Sequence, residues 1–228
     1  MTEHAQDTTS IKQAASEAVR HGTDIRAQVH DLTLLAIKQH RFDRQGMRAV
    51  IEAVTEGVAH GAEQRSDGVR AALSEALRGL DQALRTSAEA GQGALKQLTT
   101  TGKNFSDSEL KQALSHLRKL EEEFFATIAQ VTERAGQRVQ PELRALLETT
   151  RRTGTETGRH VATIIGEFTH RVSMASLDST IAGIEVAGAV GSRFAALASG
   201  ILSGLADALR NPAAASAPPP HDDGPRPP

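Results

Sequence analysis

The chain has 228 residues, with 26 Lys+Arg against 28 Asp+Glu and a formal net charge of −2; it contains no Cys, Trp or Tyr and only six Phe. Charge is interspersed, with no basic block, which removes the main electrostatic support for nucleic-acid binding. The missing thiols exclude a disulfide scaffold, thiolate metal sites and Cys catalysis. Eight Pro are present, yet only Pro141 precedes Pro212. The long Pro-poor stretch is rich in Ala, Gln, Glu, Leu and Arg and is helical by propensity. Apolar burial is worth ~25 cal/mol per Å², so the many Ala gain little each, which favours thin helical layers over a thick core. The expected class is all-α: extended, antiparallel long amphipathic helices in a coiled-coil-like hairpin or bundle. No basic, apolar leader opens the chain, so the default location is cytoplasmic.

Residues 1–42 read as short N-terminal helices. Residues 1–9 are polar and expected to fray. Ser10 to Arg20 forms a short helix stopped at Gly22, and Thr23 caps a second one running to about Lys38, with Leu32, Leu35 and Ala36 on its apolar face. Phe42-Asp43 before Met47 has the spacing of a hydrophobic staple, so a helix starts near 43.

Residues 43–101 carry the most informative pattern, a repeat of 11 residues. It reads GMRAVIEAVTE, GVAHGAEQRSD, GVRAALSEALR, GLDQALRTSAE, AGQGALKQLTT. Gly46, Gly57, Gly68 and Gly79 open successive units. The second column is Met47, Val58, Val69, Leu80, Gly91. The sixth is Ile51, Ala62, Leu73, Leu84, Leu95, and the ninth is Val54, Arg65, Ala76, Ser87, Leu98. Eleven residues in three turns is ~3.67 per turn, so the apolar stripe stays nearly straight. The pattern predicts one helix about 85 Å long at ~1.5 Å per residue. Each interior Gly costs ~0.8–1 kcal/mol relative to Ala, so the lone helix is marginal and must gain from packing.

Thr99 to Asn104 reads as a stop and turn. Phe105-Ser106 before Leu110 repeats the staple, and Ser106 with Glu109 completes a capping box. A second helical segment, 106–176, places Leu110, Leu114, Leu117, Phe124, Ile128 and Val131 on one face; Glu121 falls on this stripe and is expected at an edge or facing water. Pro141 marks a kink or a new start, and Thr149 to Gly158 is weakened by Thr and Gly. Residues 177–210 form a small-residue-rich apolar helix. Residues 186–206 hold one charge, Arg193, and Gly200 with Gly204 makes a GxxxG spacing. Three readings stay open for that segment: a membrane span, a helix packed on another helix, or a segment dipping into a lipid or polymer surface. The tail, 211–228, is Pro- and Ala-rich and expected to be disordered.

Chemistry-bearing motifs are sparse. Glu167 and His170 make an E-x-x-H on one helix face, but a di-iron bundle needs two such motifs and two further Glu. No Ser sits in a nucleophile-elbow context and there is no phosphate loop. The expectation is a non-enzymatic protein without metal or cofactor.

The eleven-residue amphipathic repeat resembles that of apolipoprotein-like surface-binding helices. Together with the Ala/Gln/Glu/Arg-rich helices, absent Cys and Pro/Ala-rich tail, the plan is similar to that of bacterial phasins, which coat polymer granules. The resemblance implies a granule or lipid-surface coat. Its surface-binding residues would be Met47, Ile51, Val54, Val58, Val69, Leu73, Leu80, Leu84, Leu95 and Leu98, helped by Phe194, Leu197, Ile201, Leu202 and Leu205. The alternative is a coiled-coil scaffold or oligomeric adaptor whose stripes bury each other and which binds a helical protein partner. A third reading is a C-terminally anchored membrane protein. A homo-oligomer is expected in either of the first two, and nucleic acid in none.

Overall fold

The computed structural model describes residues 2–39, 44–101, 107–168, 194 and 196–203. Among them are seven α-helices: α1 (Thr2–His21), α2 (Ile25–Gln39), α3 (Arg44–Glu63), α4 (Val69–Thr101), α5 (Asp107–Arg134), α6 (Gln140–Thr153) and α7 (Glu156–Phe168). Residues 196–203 are also helical, and no strand occurs among the described residues.

The helices form three hairpins: α1–α2, α3–α4, and α5 followed by α6 and α7. Cross-hairpin contacts fix the directions. Lys12 of α1 pairs with Glu56 of α3 at 3.1 Å, and further on Arg65 bonds the Val19 carbonyl. Arg48 and Glu52 of α3 bond Gln130 and Arg134 of α5. Thus α1, α3 and α5 run the same way. Arg26 of α2 pairs with Glu75 of α4. Along α4, Arg70, Arg85 and Lys96 meet Glu142, Glu156 and Glu167 in turn. So α2, α4 and the α6–α7 arm run the other way. The short turns at 22–24, 64–68 and 135–139 all lie at one end. Most of the ion pairs are exposed and add little stability individually; they mark the register in which the hairpins meet.

Helix boundaries follow local chemistry. Asp24, rather than the expected Thr23, caps α2 by accepting the Ala27 N–H at 3.1 Å. Pro141 occupies the first turn of α6, where its missing N–H costs nothing. The chain therefore restarts there rather than kinking. Gly154 ends α6 with φ +74° and ψ 163°, a backbone conformation that glycine alone adopts readily.

Three expectations are corrected. The helix expected over 43–101 is two helices, because Gln64, Arg65, Ser66, Asp67 and Gly68 form a turn with Gly68 at φ +63°. Within 107–168 the chain breaks at 135–139, so Pro141 marks a new start and not a kink, and again at 154–155, inside the stretch weakened by Thr and Gly. The first helix is longer than expected, starting at Thr2. The two staples at Phe42-Asp43 and Phe105-Ser106 lie outside the described residues, as do most of 177–210 and all of the tail.

Candidate functional site

The stripe residues are brought together, and they face inward. Every member of the sixth column (Ile51, Ala62, Leu73, Leu84, Leu95) is 0% exposed. Met47, Val54, Val58 and Leu80 are buried as well, while Val69 and Leu98 are half-buried at its margin. Phe194 and Leu202 are buried in the same cluster, with Leu197 and Ile201 packed against it. Leu205 lies outside the described residues. The two groups of surface-binding candidates therefore meet each other. Phe194 and Leu117 pack over Gly91, and Ile201 over Gly93. The small residues that interrupt the fifth repeat unit make room for these side chains.

Glycines of α3 and α4, two of them from the opening column of the repeat, have a specific use. A Cβ on Gly57 would stand 2.2 Å from the Lys12 carbonyl oxygen, one on Gly61 2.4 Å from that of Ser16, and one on Gly79 2.4 Å from that of Arg26. The α1–α2 hairpin thus lies directly on the α3–α4 backbone. Gain from this packing offsets the helix-propensity cost of the glycines. Gly68 belongs to the same sequence column but serves the turn instead.

Arg65, the charged member of the ninth column, is in the turn. Its guanidinium donates to the Val19 carbonyl at 2.7 Å and the Asp67 carbonyl at 3.1 Å. Arg138 donates to the carbonyls of Glu63 and Arg65. Val19 and Glu63 lie in the last turns of α1 and α3, whose carbonyls lack intrahelical partners and carry the negative end of the dipole. Two arginines thereby tie the three turns into one knot.

A second polar feature fixes α7. Asp81 of α4 accepts the backbone N–H of Glu156 (2.8 Å) and Thr157 (3.1 Å), and the Thr157 hydroxyl at 2.7 Å. Glu121 of α5 accepts the Thr155 hydroxyl at 2.5 Å. Thr155 in turn accepts the Gly158 N–H at 2.8 Å. The first three N–H groups of α7 are thus satisfied by the Asp81 carboxylate and by the Thr155 hydroxyl, which Glu121 in turn holds, at the end where the dipole favours negative charge. Glu121, which falls on the α5 stripe in the sequence, is partly buried, and its partner Thr155 lies 34 residues away. At the far end of α7, Glu167 accepts from Gln92 at 2.6 Å and lies near Lys96. The Gln92 hydrogen bond, aided by the Lys96 charge, holds its carboxyl below the usual range. Its E-x-x-H partner His170 lies outside the described residues, and no metal-holding group of His, Asp and Glu occurs among those described.

A family model described as a family of unknown function, DUF6781, matches residues 1–211. The chain belongs to DUF6781. No curated protein and no solved structure matches it. In this DUF6781 chain no described helix is long and apolar enough to cross a membrane; most of the 186–206 segment is not among the described residues. Of two clefts on its surface, one of about 220 Å³ between α1, α3 and α5 is lined by Lys12, Glu56, His60, Glu63 and Arg134, charges that already pair with one another in part. The other, between α4 and α6, is a shallow surface trough at Val69, Arg70 and Leu146.

Proposed function

We propose that this protein is a non-enzymatic helical scaffold that offers its polar outer faces to protein partners. The observation that carries this reading is the sixth repeat column, 0% exposed at all five positions. A stripe that is consumed inside the molecule is not free to coat a surface. Ion-pair-rich helical exteriors such as those of α5 and α6 suit adaptors whose partners read shape and charge.

A second reading, the phasin-like coat, is favoured by one specific observation. The eleven-residue repeat keeps its phase through the 64–68 turn, with Gly57, Gly68 and Gly79 evenly spaced. A turn in a bundle has no use for that continuity. A helix running from α3 into α4 along a hydrophobic surface does. Under this reading the hairpins part on contact with the surface and the turn straightens.

Flotation with lipid vesicles and with oil-cored droplets separates the two. The scaffold reading expects the protein to stay in the unbound pool of both, with unchanged helicity by circular dichroism. Recovery of most of the protein with the droplets, abolished by Leu73→Asp, would replace it with the coat.

A further inference from the structure

We infer that α7 is a detachable strap, locked by the Asp81 and Glu121 carboxylates and hinged at Gly154, which opens while the rest of the bundle stays folded. The inference holds whether the chain acts as a scaffold or as a coat.

The lock is polar and comes from outside the helix. Asp81 takes three side-chain-mediated bonds from Glu156 and Thr157, and the Thr157 hydroxyl also reaches the Asp81 carbonyl at 2.9 Å. Glu121 holds Thr155, and its carboxylate fills the space beside Gly158 where a Cβ would stand only 2.2 Å away. Any side chain at 158 would push the latch apart. The other helix starts differ: α2 is capped by its own Asp24, and α6 starts on its own Pro141 without a side-chain cap bond.

The hinge is equally local. Gly154 adopts φ +74°, a conformation open to glycine, and a Cβ placed there would meet nothing within 4 Å, so no side chain packs against this point of the chain. Val161, Ile164 and Phe168 are the buried large apolar residues of α7. A short helix with a hinge before it and a cap supplied by other helices is the kind of unit that opens below the global unfolding free energy. Opening bares the apolar side chains that α7 and the 81–96 stretch of α4 bury between them. The device thus controls access to part of the stripe without unfolding the hairpins.

The test is amide hydrogen exchange by mass spectrometry on the full chain. Asp81→Ala should raise exchange of residues 156–168 by about tenfold, the range expected when a helix cap is lost. Peptides of α3 and of residues 69–77 of α4 should exchange as in wild type. Thr157→Val, which removes one hydroxyl and keeps the volume, should show the same pattern with a smaller rise. The inference is overturned if exchange rises equally along the chain in Thr157→Val, since α7 then belongs to one cooperative unit. It is also overturned if neither variant changes residues 156–168.

Discussion

The double substitution Gly57→Val and Gly61→Val is expected to detach α1 from α3 and to destabilise the protein by about 3–5 kcal/mol, from overpacking at two sites and loss of the core residues that α1 contributes. The atoms in the way are backbone. The Lys12 oxygen is 2.2 Å and the Ser16 oxygen 2.4 Å from the added Cβ positions, so no rotamer change relieves the clash. α1 has to move as a body, and Ile11, Ala15 and Val19, now 4%, 0% and 0% exposed, move with it. A urea melt measures the loss, and hydrogen exchange in residues 8–21 locates it. Gly166→Ala is the control. Its Cβ meets nothing within 4 Å, so its helix-propensity gain of up to about 1 kcal/mol should appear as unchanged or higher stability. Equal loss in both variants would mean that glycine acts through the helix itself and not through the hairpin lying on it.

Leu84→Asp is expected to leave little folded protein. Leu84 is 0% exposed in the middle of α4. Truncation to Ala there removes about 2–5 kcal/mol, and an unpaired buried carboxylate adds several more. The sum reaches the whole stability of an ordinary domain, about 5–15 kcal/mol. Circular dichroism at 25 °C should show lost helicity for Leu84→Asp, and Leu84→Ala should stay folded with a lowered urea midpoint. In a protein whose stripe faces water until a surface arrives, both substitutions would leave the melt of the free protein unchanged.

How much of this was legible depends on whether the cause is local. The stripe could be read because helical periodicity is a property of neighbouring residues, and its sixth column is the most deeply buried line in α3 and α4. The start at Pro141 could be read because a missing N–H is tolerated in a first helical turn. The break at 64–68 was hidden by the repeat itself: Gly68 stands in the same column as Gly57 and Gly79 and keeps the phase. Its signal was the polar run Gln64-Arg65-Ser66-Asp67 ahead of a glycine, an Asp-Gly turn pair that periodicity outweighed. The roles of Arg65, Asp81 and Glu121 were not legible. Each acts on a helix terminus tens of residues away, and nothing in the local sequence says which terminus arrives. The same holds for Gly57 and Gly79, whose small size could be read but whose partner is the backbone of α1 and α2.

The direction in which the stripe faces in the free protein is the central claim, and a thiol tests it most directly. The chain has no Cys, so a single Ser87→Cys reports from the ninth repeat column without interference. Ser87 is 0% exposed and nearly isosteric with Cys, while Gln82→Cys places the same thiol on the exposed side of α4. In lipid-free protein, alkylation at position 87 is expected to be at least about a hundredfold slower than at position 82, since it must wait for opening of the bundle. Rates within a fewfold of each other would mean that the stripe is open to solvent, and would contradict the packing described here.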